Sequence, residues 1–450
     1  MFSLTNPYTG KKITEYQYFT ANSIAAATHE ASQAYSQWRN LSIDNRLKFI
    51  KNLIASLDKS KNMLSIRCSE EMGKPIKQAT AEVEKCIKLC NYYLDNAKAF
   101  LAPTPAPSDA SESYIVYEPL GVVLGVMPWN FPYWQVFRFA IPTIIAGNTV
   151  MVKHASNVAG CALLIEELFH DAGFPSGVYK NLLISGDQVE DVIKDPAVRA
   201  VSLTGSEKAG ASVASAAASH IKKAVLELGG SNAFIVCADA DMEKAVPIAV
   251  TARMQNTGQS CIAAKRFLVH TSVYDNFLDE FKKQVEALKA GDPMDDKTDV
   301  GPLARVDLAE EIEKQVNGSV AMGAKVLLGG KRNGAFYEPT ILTDIHPDMP
   351  VFKEEVFGPV AVVMPFDHFE EAVTLSNATE FGLGVQVFTR DVDLIKQQLH
   401  LFEEGAVFLN AMVKSDPALP FGGVKKSGYG RELAENGIRE FVNVKTVYIG

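Results

Sequence analysis

The stretch Asn256–Arg266, NTGQSCIAAKR, sets Cys261 among small and weakly polar residues directly after a helix-like run. A thiol placed there has the access a nucleophile needs, and Lys265 and Arg266 are near enough in sequence to favour its thiolate. The same residue would serve equally as a buried structural cysteine. In Val225–Gly230, VLELGG, an apolar run delivers Glu227 to a double glycine. A carboxylate there costs free energy unless it is paired or solvated at a cleft, so Glu227 reads as a general base of raised pKa or as a salt-bridged structural acid. Met127–Pro132, MPWNFP, holds Asn130 in a rigid turn that could aim an amide donor at a developing oxyanion, or simply pack. Leu203–Ser206, LTGS, closes a strand-like run and opens a helix-like one, where backbone N–H groups can face a phosphate or ribose. Neither GxGxxG nor GxxxxGK[ST] occurs, so no Rossmann fingerprint or P-loop is signalled.

The elements that must position these residues follow from periodicity. Apolar residues at three-to-four spacing predict helices over Ser23–Trp38, Asp44–Glu71 and Thr80–Phe100, before the Pro-rich APTPAPS at 102–108 breaks the pattern. Tyr114–Glu118 and Gly121–Met127 read as strands paired with each other. Short β-rich runs at Thr149–Lys153, Val178–Ile184, Ala200–Thr204 and Ala233–Val236 alternate with helical stretches at Ala159–Ala172, Asp187–Lys194 and Glu207–Ser219. That alternation predicts a parallel sheet wrapped by helices. A second α/β run has helices near Asp241–Thr257, Tyr274–Ala290 and Leu308–Met322, and strands near Phe267–His270, Ala324–Leu328, Thr340–Thr343, Val360–Phe366 and Gly384–Thr389. The β-prone end, Phe441–Ile449, suggests a strand added to an existing edge, its own or a neighbour's.

Composition bounds the function. At about 150 residues per domain, 450 residues predict two or three domains with large cores. The net charge of −9, from 44 Lys+Arg against 53 Asp+Glu, and the lack of a long basic block argue against nucleic acid as a partner. The longest apolar stretches, such as Ala140–Val152, are too short and too interrupted for a membrane span. The N-terminus shows neither a secretory nor a transit pattern, so the chain reads as cytoplasmic. Six scattered cysteines without CxxC fit reduced thiols, no metal site is expected, and Cys86 and Cys90, four apart on a helix, read as core.

Taken together the motifs resemble the aldehyde dehydrogenase superfamily: PWNFP at 128–132, LTGS at 203–206, ELGG at 227–230, GQSC at 258–261, EEVFGPV at 354–360 and PFGGVKKSGYGREL at 420–433 stand in its order and spacing. The resemblance runs from Asn6–Gly10 to the C-terminal strand and is greatest to the branch that oxidises succinate semialdehyde. It implies an α/β fold: a Rossmann-type cofactor-binding domain (1–110 and 130–228), an α/β catalytic domain (229–418) and a small β oligomerisation element (111–129 and 419–450). It further implies a homodimer or homotetramer using NADP or NAD.

By the same resemblance, Cys261 would attack the aldehyde carbonyl, with the Asn130 amide and the Cys261 N–H holding the oxyanion of a thiohemiacetal. Glu227 would activate the water that hydrolyses the thioester. Glu355 would bind the nicotinamide ribose, Phe357 would pack beside the ring, Lys153 would bind the adenosine ribose, and Trp129, Gly205 and Ser206 would line the cofactor. Ser185-Gly186-Asp187 replaces the family's Gly-x-Gly, and His154, which replaces a frequent Pro, reads as a rim residue rather than a catalyst. Ser156 stands where NAD-preferring relatives often carry Glu, so the enzyme is expected to accept NADP. Trp134 and Arg138, one helical turn apart, are expected to line the substrate tunnel with Ser415 and Phe421, Arg138 gripping a substrate carboxylate bidentately. Ala418 stands where similar sequences often carry Arg. The alternatives are another short or medium aldehyde, a coenzyme A-acylating relative, and a non-catalytic structural or binding homologue.

Overall fold

A computed structural model describes all residues, 1–450, and its architecture follows from how each segment buries its apolar face. Helices Ala21–Trp38, Ile43–Met72 and Ile76–Phe100 open the chain. The first two start where Thr20 and Ser42 accept the N–H of Ser23 and Asn45, and the second stops at Gly73, whose φ of 77° suits a residue without a side chain. Their buried stripes, including Trp38, Leu57, Cys68, Cys86 and Cys90, share one core with Phe137 and Ile141 of helix Trp134–Ile145. That helix has no side-chain cap of its own. Glu82 supplies one from the neighbouring helix, its Oε1 accepting the N–H groups of Tyr133 and Trp134 at 2.8 and 2.9 Å while Lys74 pairs with Oε2.

A six-stranded sheet runs in the order Gly428–Tyr429, Lys223–Glu227, Val198–Thr204, Val122–Met127, Thr149–His154, Tyr179–Asn181, parallel except at the first pair. Helices Ala159–Asp171, Val189–Lys194 and Glu207–Ser219 connect its strands. A seven-stranded sheet follows, ordered Lys325–Leu328, Thr340–Thr343, Val360–Phe366, Ala264–His270, Asn232–Val236, Val385–Phe388, Val407–Leu409, again parallel except at the first pair. Its faces are covered by Met242–Met254, Tyr274–Glu286 and Val306–Ala321.

The expected pairing of Tyr114–Glu118 with Gly121–Met127 is corrected. Glu112–Pro119 pairs antiparallel with Val442–Ile449 and with Thr104–Pro105 in a separate three-stranded sheet, whereas Val122–Met127 sits between two parallel strands of the six-stranded one. The division that grouped 111–129 with the C-terminal strands therefore cuts through the cofactor-side sheet. Burial explains the difference: Val122, Val123 and Leu124 are fully covered, while the 112–119 strand is exposed at Glu112 and half-buried from Ser113 on. Val178–Ile184 likewise shortens to Tyr179–Asn181.

Candidate active site

Cys261 lies just past a short 3-10 turn, Gln255–Gly258, in which Asn256, Thr257 and Gly258 all take positive φ (56°, 55° and 72°). Such a run is strained for the first two residues and persists because the surroundings hold it. Asn256 Nδ2 donates to Asn130 O and Gln259 O, Thr257 Oγ1 donates to Gly301 O, and the Gln259 side chain bridges Asn256 O and the Ala304 N–H. A Cβ on Gly258 would stand 2.3 Å from Gly358 O, so only glycine lets the two backbones meet. The strain places the nucleophile: the Cys261 N–H donates to no protein group, and Asn130 Nδ2 is aligned by a 3.1 Å bond to Gln259 O, leaving its second hydrogen free.

The expectation that Lys265 and Arg266 would favour the thiolate holds in sign for Lys265 but not for Arg266, and burial outweighs it. Arg266 spends its guanidinium on the carbonyls of Ser231, Leu375 and Ser376, and burial dominates at Cys261, pushing its thiol up to about 11 against the pull of Arg138 and Lys265. Lys265 Nζ instead donates to Ser260 O and Cys261 O, both at 3.0 Å, and to Glu355 Oε1 at 2.9 Å, tying the nucleophile's main chain to Glu355. The other cysteines are free, and Cys86 and Cys90 are fully buried.

Glu227 ends strand Lys223–Glu227 and is 2% exposed, and neither carboxylate oxygen has a hydrogen-bond partner. Burial first, then the nearby Glu432, hold its carboxyl well above the usual range, against the opposing pull of Arg138 and Arg431. An unpartnered carboxyl whose proton affinity is raised by burial is suited to exchanging a proton with water or a thiol. Gly422, at φ 156°, leaves it room: an added Cβ would stand 2.8 Å from Glu227 Oε1.

Around the LTGS turn, Gly205 donates its N–H to Glu227 O at 3.0 Å, and Ser206 caps helix Glu207–Ser219. A Cβ on Gly205 would meet only Leu203 Cδ2, at 3.6 Å, so nothing in the protein requires glycine there and the turn offers open surface for a flat ring. Phe357 meets Trp129 edge-on at 5.7 Å between centroids. Glu355 Oε1 is committed to Lys265 and the Gly230 N–H, whereas Oε2 accepts from no protein donor. Lys153 makes no ion pair and its pKa is lowered by burial, and Ser156 stands 3.4 Å from the Tyr18 hydroxyl. A cationic ammonium, a hydroxyl held only by a 3.4 Å contact with Tyr18, an unclaimed carboxylate oxygen and an open glycine turn are the donors and acceptors that a phosphorylated dinucleotide needs, so these residues fit NADP. His154 is structural: Nε2 donates to Pro132 O and Nδ1 accepts the Ala155 N–H, both at 2.8 Å, and burial pushes its pKa down to about 4. Ser185 binds Gln188 Oε1 through its N–H and hydroxyl, closing its turn on itself.

Trp134, Arg138, Ser415 and Phe421 are all buried. Arg138, expected to grip a ligand carboxylate with two N–H groups, already has an internal partner: Nε pairs with Glu432, Nη2 donates one hydrogen to Thr204 Oγ1 at 3.3 Å, and the guanidinium lies over Phe421, 4.7 Å from its centroid. Both Nη1 hydrogens and the second on Nη2 are uncommitted. The cation that sequence reasoning missed is Lys85, whose Nζ lies 3.9 Å from the Trp134 ring centroid and donates to Ser415 Oγ at 2.7 Å. On its helix it reads as one more surface lysine, so no local signal marks it.

Residues 1–447 match the aldehyde dehydrogenase family. Among curated proteins the chain is 47% identical over 447 residues to a probable succinate-semialdehyde dehydrogenase [NADP(+)] of Synechocystis sp., covering 99% of this chain and 98% of that one. It is 48% identical over 450 residues to succinate-semialdehyde dehydrogenase [NADP(+)] 1 of Mycobacterium tuberculosis, with the same coverage. Among solved structures it superposes on succinic semialdehyde dehydrogenase from Streptococcus pyogenes in complex with NADP+ with a TM-score of 0.97 and 36% identity over the whole of both chains.

Proposed function

The chain belongs to the aldehyde dehydrogenase family, and on that premise we propose that it oxidises succinate semialdehyde to succinate with NADP. The observation that carries the chemistry is the conjunction at one site of an accessible Cys261 N–H, an aligned Asn130 amide and an unpartnered, buried Glu227. Cys261 gives up its thiol proton to water, so that the thiolate is the attacking species. Sγ bonds to the aldehyde carbon, the carbonyl π pair moves to oxygen, and the Asn130 Nδ2 and Cys261 N–H groups hold the resulting oxyanion. A nicotinamide cofactor held there would supply the hydride acceptor for that carbon. Collapse of the oxyanion leaves a thioester on Cys261. Glu227 then takes a proton from water as the water oxygen bonds to the acyl carbon, the C–S electron pair leaves on Sγ, and Glu227 returns the proton to Sγ as the acid departs, which restores both groups.

Lys153 and Ser156 would hold the 2′-phosphate side of the cofactor, Glu355 Oε2 a ribose, and Trp129, Gly205, Ser206 and Phe357 its walls, supported by the uncommitted groups there. Trp134, Phe421 and Ser415 would line the aldehyde passage. Glu227 disfavours a coenzyme A-acylating role, since transfer to a thiol needs no base for water. A homodimer or homotetramer is supported by the free edge of Val442–Ile449, which exposes Val444, Tyr448 and Ile449. Pairing with a second copy would cover it, and sedimentation of the wild type against Val444→Glu/Tyr448→Glu tests this. No helix is long and apolar enough to cross a membrane, and six free cysteines support a reducing compartment, the cytoplasm.

The testing experiment is a panel of aldehydes with NADP and NAD, each with and without coenzyme A. Preferred, coenzyme A-independent turnover of succinate semialdehyde with NADP is expected. Preference for an uncharged aldehyde, or dependence on coenzyme A, overturns the reading.

A further inference from the structure

Three elements converge beyond the nucleophile: helix Ile76–Phe100 contributes Lys85, helix Trp134–Ile145 contributes Trp134 and Arg138, and the loop before Pro420 contributes Ser415. Lys85 is half-buried, its ammonium lies on the Trp134 ring face, and its one hydrogen-bond acceptor is the neutral Ser415 hydroxyl. It has no ion pair. The carboxylates near it are spoken for, Glu82 by Lys74 and Asp416 by Lys88 and Lys414. The Trp134 indole N–H is buried without an acceptor, and the charge of Arg138 is already paired with Glu432. A cation drawn out of water with no counter-charge costs free energy that a structural role does not repay, so its partner is expected from outside the fold.

Arg138 connects this cluster to the chemistry, because its charge acts both on the Cys261 thiol and on Lys85. An aldehyde whose carbonyl meets Cys261 and whose far end passes Arg138 brings its terminal group toward Lys85 and Ser415. We infer that Lys85, with Ser415, receives the carboxylate of the substrate, with Arg138, whose charge is already answered by Glu432, as an auxiliary donor. This rests on the reading of succinate semialdehyde as substrate. Burial, with Arg138 adding to it, lowers the Lys85 pKa to about 8, opposed by Glu82 and Cys86 on its own helix and by Asp416 on the loop. The site therefore loses its charge on the alkaline side of neutrality unless an anion restores it.

The test compares kcat/KM on succinate semialdehyde and on butyraldehyde for the wild type, Lys85→Met and Lys85→Arg. For Lys85→Met the ratio of the two is expected to fall about 30-fold or more, mostly through KM for the acid, and Lys85→Arg is expected to keep most of it. In the wild type kcat/KM on the acid should decline above about pH 8 with no such limb on butyraldehyde or in Lys85→Met. An unchanged ratio in Lys85→Met with a wild type that prefers the acid overturns this inference alone, as does an alkaline limb common to both substrates. A wild type without that preference overturns the substrate reading and this inference with it.

Discussion

Lys265 and Glu355 form a pair, 2.9 Å from Nζ to Oε1, in which the lysine is 1% exposed and also donates to the Cys261 carbonyl. One ammonium thus fixes both the main chain of Cys261, the proposed nucleophile, and the carboxylate of Glu355, the proposed ribose ligand. Removing one partner of a buried pair leaves an uncompensated charge, typically at a cost of 3–5 kcal/mol, and the 19% exposure of Glu355 argues for about 3 here. Lys265→Met should lower the unfolding temperature and weaken NADP binding together, read by thermal unfolding and by titration calorimetry. Unchanged values for both would show the pair to be ornamental.

Cys261→Ala should abolish aldehyde oxidation while leaving the fold and NADP affinity nearly intact, since it deletes one small side chain and the covalent step. Glu227→Gln should accumulate acyl-enzyme, seen as a burst of NADPH without steady turnover. Mass spectrometry of the quenched enzyme reads the adduct, and steady turnover at the parent rate would remove Glu227 from the base role.

Ser156→Glu should invert cofactor choice. Two unit charges about 4 Å apart cost roughly 1 kcal/mol at water's dielectric and about 4 at an effective value of 20, so the NADP to NAD ratio of kcat/KM should drop by about one to three orders of magnitude. The Tyr18 hydroxyl, 3.4 Å from Ser156 Oγ, marks the same spot from a second segment. A ratio that does not move would place the 2′-phosphate elsewhere.

His154 predicts how stability responds to pH. Its folded-state pKa, about 4, lies below the ordinary value of 6.5, so the unfolded chain binds the proton more readily. The stabilisation is therefore complete above about pH 6.5 and is lost as pH falls from there toward 4, on the order of 3 kcal/mol in all. Urea unfolding at pH 7.5 and 4.5 measures it, and His154→Gln should flatten the difference.

The helices and most strands were legible because their periodicity is local: Glu207–Ser219, Thr340–Thr343 and Val360–Phe366 have the bounds that their patterns predict. The pairing of Val122–Met127 was not, since adjacency in sequence favours a hairpin with 112–119 and only burial on both faces sends the strand into the parallel sheet. The paired state of Arg138 was also illegible, because Glu432 arrives from the far end of the chain.

Taken alone, the sequence determined the family and singled out Cys261, Glu227 and Asn130 as candidates, because covalent catalysis demands particular residue types and the motifs carrying them are contiguous. The tertiary structure alone decided that the Cys261 thiol is held up by burial, that Arg138 answers to Glu432, and that Lys85 is left as a cation without a counter-charge. Protonation and ion pairing depend on distance and dielectric in three dimensions, and neither can be read from order along the chain.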